Sequence, residues 1–258
     1  MKYVPKIWTS IGLGFAVIGA GLLVACDGER VKASSSVESV GVDDHGDTGK
    51  GVDAGEIEHA DAGTLPRHLR LAFMSGHVEA GLALFRAGEP EMAAKHLLHP
   101  VSETHAAERA GLDELGFDAG LFEVVSTALD EGRAASEIEP QLVAAEANLA
   151  ETAVRAGGDT IEIITFLMET IDEEYAVGVT GGAVTDPGEY QDAYGFAIVA
   201  LDRANALQGD AGTRVREEIE RLISLWSGTP PIPTETPAAL SIITAQTRVV
   251  LGELSDLR

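Results

Sequence analysis

From Leu65 onward, apolar residues recur at the three- and four-residue spacing of amphipathic α-helices, and strand-like alternation is scarce. The clearest segment carries its apolar face at spacings of 3 and 4, with Ile161, Ile164, Met168, Ile171 and Tyr175. An earlier segment has the same rhythm, with Leu69, Phe73, His77, Ala80 and Leu84. Both patterns predict helices with one buried face.

Glycine and proline divide this region into elements. Gly88 ends the first predicted helix, Pro90 begins a second that runs to about Leu98, and Pro100 stops it. The later predicted helices include two weaker ones at about 103–115 and 119–131, one at about 138–155, and a last one from Leu240 to Leu254. Because short loops favour antiparallel neighbours, the pattern predicts an all-α fold over 65–258, an antiparallel bundle of about eight or nine helices.

One helix start has a specific signal. Asp159, followed three residues later by Glu162, is a capping pair, in which each side chain can accept from a free backbone N–H. We therefore predict that a helix begins directly after Asp159.

The amino terminus has the order of a secretory signal. Lys2 and Lys6 precede an apolar stretch from Ile11 to Ala25, and Leu23-Val24-Ala25-Cys26 follows. This ending resembles the bacterial lipobox, which implies a signal peptide over 1–25 and cleavage before Cys26. It also implies a diacylglyceryl thioether on the sulfur and usually a third acyl chain, such as palmitate, on the new amino group. The alternatives are an ordinary signal peptide with a chance cysteine, or an uncleaved anchor.

Residues 26–64 differ in composition from the helical region. They contain many acids, scattered glycines, Ser34-Ser35-Ser36 and no aromatic residue. Such a segment buries too little apolar surface to offset the entropy of ordering, so we predict a lipidated, disordered, acidic linker. Asp27 follows Cys26, and in the best-known lipoprotein sorting pattern an acid there implies retention at the inner membrane, on its periplasmic face.

Charge and cysteine count exclude several functions. The formal net charge is −24, which repels nucleic acid, and Cys26 is the single cysteine. With Cys26 lipidated, thiolate metal sites and cysteine nucleophiles are excluded. No nucleophile elbow, His-Glu-x-x-His helix or phosphate loop occurs, so the sequence does not favour an enzyme.

The histidines point to a metal site. Five of the seven lie between His68 and His105, and His96 and His99 are three residues apart on one predicted helix face. A helical hairpin would bring His77 toward them, with Glu103 just beyond Pro100. Imidazoles with a carboxylate suit iron, copper, zinc or nickel, so His77, His96, His99 and Glu103 are the predicted ligands.

These histidines also have a structural interpretation. His77 lies on the apolar face of its helix and can serve as a hydrogen-bonded core residue, while His96 and His99 can face water. Similarly, Tyr175, Tyr190 and Tyr194 are interpreted as core residues and Gly181-Gly182 as a turn.

Residues 79–100 match a single tetratricopeptide-like helical hairpin, with Gly88, Ala93 and Pro100 at suitable positions. Repeat arrays need at least three units to bury a continuous core, so we predict one hairpin only. It supports the alternative function, an envelope interaction or scaffold protein without a metal site.

Two segments resemble known families. Residues 173–191, with Glu173-Glu174-Tyr175, a glycine turn and Glu189-Tyr190-Gln191, resemble the extracytoplasmic helical regions attached to bacterial iron permeases. Residues 75–103 are similar to a hairpin of imelysin-like periplasmic proteins, although Gly76 and His77 are adjacent here and do not follow the Gly-x-His-x-x-Glu signature.

Together with the lipobox, the histidine cluster and the acidic composition, this resemblance implies a lipid-anchored periplasmic protein that binds a transition metal, iron first and copper or zinc otherwise. It also implies an iron permease or another envelope protein as partner. The expected role is iron uptake or homeostasis.

Overall fold

A computed structural model describes residues 65–102 and 106–257, and eight α-helices of nine or more residues make up most of these ranges. The helices are α1 (Arg67–Arg86), α2 (Pro90–Leu98), the single-turn α3 (Ala106–Arg109), α4 (Ala119–Asp130), α5 (Glu139–Ala156), α6 (Thr160–Gly178), α7 (Pro187–Ala204), α8 (Gly209–Ile223) and α9 (Leu240–Ser255). The predicted all-α fold is confirmed. The signal peptide, Cys26, the linker and Glu103 lie outside the described residues, and what was predicted of them stays a prediction.

One predicted helix is wrong. Where a helix was expected over about 103–115, the described part contains only α3 and a 3-10 turn at Asp113–Leu115. Gly111 lies between them with a φ of 74°, a left-handed conformation that a continuing helix does not allow. The helices predicted at 119–131 and 138–155 are confirmed within one residue at each end.

Aspartates begin the two central helices. The Asp159 carboxylate accepts from the backbone N–H groups of Ile161 and Glu162, at 2.7 and 3.0 Å, and so caps α6 as predicted. Glu162 does not return the bond, because its carboxylate lies 3.2 Å from His68 Nε2 on α1. Asp186 caps α7 in the same way.

A small hairpin joins α6 to α7. Strands β1 (Val179–Thr180) and β2 (Ala183–Val184) pair antiparallel, with Val179 opposite Val184. The turn is Gly181-Gly182, with φ of 63° and 82°, which suits the two-residue hairpin turns that need positive φ. The hairpin reverses the chain direction, so that α7 packs against α6 along its length.

Two apolar cores share α1. The carboxyl-terminal core lies among α6, α7, α8 and α9 and includes the aromatic side chains Tyr175, Tyr190 and Trp226. The amino-terminal core lies among α2, α4 and α5 and includes Phe85, Phe117 and Phe122. Helix α1 belongs to both, because Phe73 faces the first core and Met74 faces the second.

Helix α1 therefore holds the two cores together, and α2 folds back on it as the predicted hairpin. Within the described ranges, the structure contains no helix of the length and apolar character needed to cross a bilayer.

Candidate metal centre

Three polar side chains meet in the interior between the two cores. His77 comes from α1, His96 from α2 and Asp192 from α7, and all three are buried, with at most 9% of any residue exposed. Asp192 Oδ1 lies 2.7 Å from His77 Nδ1 and 2.9 Å from His96 Nδ1. One carboxylate oxygen therefore joins two imidazoles from separate helices.

Glycines allow these helices to approach closely. A Cβ at Gly76 on α1 would lie 2.0 Å from Phe196 Cδ1, and one at Gly195 on α7 would lie 2.0 Å from the Gly76 carbonyl oxygen. A Cβ at Gly81 would lie 3.0 Å from His96 Cβ. Larger residues at these positions would push α1 away from α7 and α2, so the glycines set the distance at which the histidines reach Asp192.

Aromatic rings surround His77. Phe73 packs edge-on against it with ring centroids 4.7 Å apart, and Phe196 does the same at 5.4 Å. The His99 ring stacks on His77 at 4.0 Å with an interplanar angle of 14°. These contacts hold the imidazole of His77 with its Nδ1 toward Asp192.

Gln191 determines the tautomer of His96. Gln191 Nε2 donates to Met92 Sδ at 3.2 Å, so its Oε1 is the atom that faces His96 Nε2, at 2.8 Å. An amide oxygen only accepts, and His96 Nε2 must therefore carry the proton that it donates. A neutral His96 then has its lone pair on Nδ1, pointing at the Asp192 oxygen. Ligating histidines in metal sites commonly donate their other N–H to such an acceptor.

Two lone pairs 2.9 Å apart repel unless a cation lies between them. A proton can play this part, and the pKa values show that the protein favours it. Burial opposes protonation of His96, but the Asp192 charge and the hydrogen bonds to Asp192 and Gln191 outweigh burial and raise the pKa of His96. Burial also disfavours the Asp192 anion, yet His77 and His96 hold the pKa of Asp192 far below its usual range. The pocket therefore favours an anion at Asp192 and positive charge beside it.

A metal ion fits the same position. Each of His77, His96 and Asp192 offers one ligand atom, and these atoms lie within 4.8 Å of one another. Two ligand atoms that each lie about 2.1 Å from a first-row metal ion, at right angles to each other, are about 3.0 Å apart. The distances from Asp192 Oδ1 to the Nδ1 atoms of His77 and His96, 2.7 and 2.9 Å, are close to this value. Two imidazoles and one carboxylate form the donor set of the facial triad that binds non-haem Fe(II).

The structure brings two of the four predicted ligands together. His77 and His96 converge with Asp192, and both are buried, so His96 does not face water. His99 is also buried, but it stacks on the His77 ring and is not one of the three converging ligand atoms of the described residues. Glu103 lies outside the described residues, and the ligand roles of His99 and Glu103 stay predictions.

Sequence reasoning missed Asp192 and Gln191. The available signal was a carboxylate four residues before Phe196, on the side of α7 that carries apolar residues toward α1. Helix α7 is buried on nearly every side, because it packs against α1, α6 and α8. Polar residues on such a helix are costly unless they are paired, so their presence indicates a partner.

Further acids lie in the interior. Glu174 on α6 and Glu189 on α7 are 1% and 5% exposed, and Glu189 is one helical turn before Asp192. Burial, together with repulsion from Glu146 and Asp202, raises the pKa of the partly buried Glu79 to about 8. The interior around α7 is thus rich in carboxyl groups, as the exterior is.

The comparisons with known proteins relate the second half of the chain to iron transport. Residues 150–256, about two fifths of the chain, match the model of the iron permease-associated 4-helix bundle domain. The match begins in the last turns of α5 and covers α6, α7, α8 and α9, so the predicted resemblance of residues 173–191 is confirmed. No curated protein and no solved structure matches the chain. The matched region contains Gln191 and Asp192, whereas His77 and His96 lie before it, in a part of the chain that this family model does not cover.

Proposed function

We propose that this chain is a lipid-anchored periplasmic protein that binds a transition metal, iron in the first place, for uptake or homeostasis. The proposed ligands are His77, His96 and Asp192, with the roles of His99 and Glu103 open to test. One observation carries the proposal: His77, His96 and Asp192, from three helices, each place a ligand atom within 4.8 Å of the others in the interior. His96 Nε2 donates to Gln191, so its Nδ1 faces Asp192 Oδ1 at 2.9 Å and can bind a cation there.

The family match supports iron as the metal. The iron permease-associated bundle supplies Asp192 and Gln191, and the amino-terminal helices supply the imidazoles. A permease is accordingly the proposed partner, reached from a membrane anchor at Cys26. The acidic composition of the chain favours metal cations near its surface.

The first test is metal content. The full chain is purified in detergent under reducing, chelator-free conditions, with an affinity tag that lacks histidine, and is then loaded with Fe(II). We expect near-stoichiometric iron in the parent and its loss in His77→Ala, His96→Ala and Asp192→Asn. His99→Ala and Glu103→Ala decide whether those two residues are ligands.

The matched control is His68→Ala. His68 also lies on α1 and also faces a carboxylate, Glu162 at 3.2 Å, but it lies outside the three-residue group. Its iron content should equal that of the parent. Iron content unchanged in all three ligand variants would refute the site and favour the interaction-protein alternative.

Two further experiments test the location and the partner. Cys26→Ser should release the protein from membranes and abolish incorporation of labelled palmitate, and membrane fractionation tests the inner-membrane assignment from Asp27. A permease should be identified by crosslinking in the parent strain. An outer-membrane location would refute the assignment from Asp27, and failure to crosslink a permease would refute that partner.

A further inference from the structure

We propose that the centre formed by His77, His96 and Asp192 selects ferrous over ferric iron. This inference rests on the proposed metal-binding function and concerns the oxidation state of its ligand. It follows from the charge and chemical type of the donors that the described residues bring together.

The donor set carries little negative charge. Neutral imidazoles contribute none, and Asp192 contributes a single negative charge. With Fe(II) the buried centre would carry one net positive charge, and with Fe(III) it would carry two. The cost of placing charge in a low-dielectric interior rises steeply with its magnitude, so this set of donors balances the divalent ion better.

Ferric iron is a harder cation that is best matched by several anionic oxygen ligands, and no such ligand joins this group from the part of the chain that the structure describes. Among the side chains that the structure describes in residues 65–102 and 106–257, all but that of Glu108, no fourth histidine or acid completes the cluster of ligand atoms within 4.8 Å. Glu174 and Glu189 are buried in the same interior but are not members of it.

Two buried phenols of the carboxyl-terminal core have other partners. The Tyr175 and Tyr190 rings pack against each other and against Trp226, with ring centroids 5.4 to 6.2 Å apart. The Tyr175 hydroxyl donates to the Ala238 carbonyl oxygen at 2.8 Å, which directs it away from a ligand role. The protein therefore offers nitrogen donors and one carboxylate, the combination typical of non-haem Fe(II).

The test compares the two ions on the detergent-solubilised full chain. Fe(II) is titrated anaerobically in competition with a ferrous chelator, and Fe(III) is supplied as its nitrilotriacetate complex, with each dissociation constant corrected for the competitor. We expect Fe(II) to bind at least about tenfold more tightly, a difference of about 1.4 kcal/mol. Mössbauer spectra of protein loaded with isotopically enriched iron should show a high-spin ferrous signal.

A charge variant tests the cause. Gln191→Glu places a second carboxylate beside His96 and should reduce the preference for Fe(II). Gln208→Glu makes the same change at an exposed position, where Gln208 Nε2 donates to the Ala206 carbonyl oxygen, and should leave the preference unchanged. Circular dichroism checks that each variant retains the helical fold.

The outcomes separate this inference from the function on which it rests. If Fe(III) binds as tightly as Fe(II), and both are lost in His96→Ala, the site is a metal centre and the ferrous preference is refuted. If neither ion binds, or if the affinity for iron is unchanged in the variants of His77, His96 and Asp192, the metal-binding function itself is refuted. If Gln191→Glu and Gln208→Glu change the preference for Fe(II) over Fe(III) equally, the argument from local charge is refuted.

Discussion

The two halves of the helical region differ in how they are built and in what they contribute. Helices α6 to α9 are 15 to 19 residues long, and α6 and α7 are capped by aspartates. The amino-terminal part includes the nine-residue α2, the single-turn α3 and several 3-10 turns. The iron permease-associated domain model matches the part with α6 to α9, yet the proposed ligands come from both parts.

This difference shows where a site of this kind can arise. The long helices pack around Asp192 and bury it, and the α1–α2 hairpin brings two histidines to it. Neither part holds the three donors alone. The contact between α1 and α7 is therefore the feature on which the proposed function depends.

The largest expected effect comes from Asp192→Ala. The change removes the anion that His77 and His96 face in the interior, and breaking a buried pair by removing one partner costs about 3 to 5 kcal/mol. Iron binding should be lost with it. Chemical denaturation and metal analysis measure the two effects.

Asp172→Ala is the control for this variant. Asp172 lies on α6 and accepts from the Thr247 hydroxyl, at 3.0 Å, inside the family-matched half. Loss of that bond should cost about 1 kcal/mol and leave iron binding intact. Equal losses of stability in Asp192→Ala and Asp172→Ala would contradict the conclusion that the contact between α1 and α7 depends on Asp192.

The second prediction concerns Gly195→Ala. The new Cβ would lie 2.0 Å from the backbone oxygen of Gly76, so α1 and α7 must separate. We expect a loss of about 2 to 3 kcal/mol and weaker iron binding, because overpacking a close contact forces backbone shifts. Thermal unfolding and iron titration measure them.

Gly252→Ala, in the same half of the chain, is the control and should change stability in the opposite direction. It lies within α9, and its added Cβ would have no heavy atom within 4 Å. Alanine is the better helix former there, so the variant should gain up to about 1 kcal/mol. A stabilised Gly195→Ala would refute the close approach of α1 to α7.

The sequence allowed the scaffold to be predicted better than the site. Apolar spacing predicted helices such as α6, and glycine and proline predicted their ends, because these signals act within a few residues. The prediction from apolar spacing was wrong at about 103–115, where Gly111 interrupts the expected helix.

The site depends on contacts between residues about a hundred positions apart, such as His96 with Asp192. Composition and spacing identified His77 and His96, because histidine is uncommon in this chain. Asp192 is one of 42 acidic residues and carries no local mark that separates it from those on the surface.

The third prediction uses pH to probe α1 where it faces α5 and α7. Since the folded pKa of Glu79 is raised to about 8 from 4.5, the folded protein binds this proton more tightly than the unfolded chain. Stability should therefore fall as pH rises from about 4.5 to 8, and stay reduced above it.

Glu79→Gln should remove this slope. At pH 8 and above it should be more stable than the parent by roughly 1 to 3 kcal/mol, since one pKa unit corresponds to about 1.4 kcal/mol and partial exposure reduces the effect. Urea unfolding at several pH values measures it, with the exposed Glu131→Gln as control. An unchanged slope would show that Glu79 is solvated in the folded protein.

The fourth and smallest expected effect is that of His68→Ala, which removes a third histidine–carboxylate bridge between the two halves. His68 and Glu162 are 3.2 Å apart, but their side chains are 19% and 52% exposed. Exposed pairs contribute about 0 to 1 kcal/mol, so stability measured by urea unfolding should change by less than about 1 kcal/mol. The His77→Ala variant removes a bridge of the same chemical type, also from α1, whose partner Asp192 is buried. If burial strengthens the bridge between α1 and α7, His77→Ala should reduce the free energy of unfolding several times more than His68→Ala. Similar losses would show that apolar packing alone holds the two halves together.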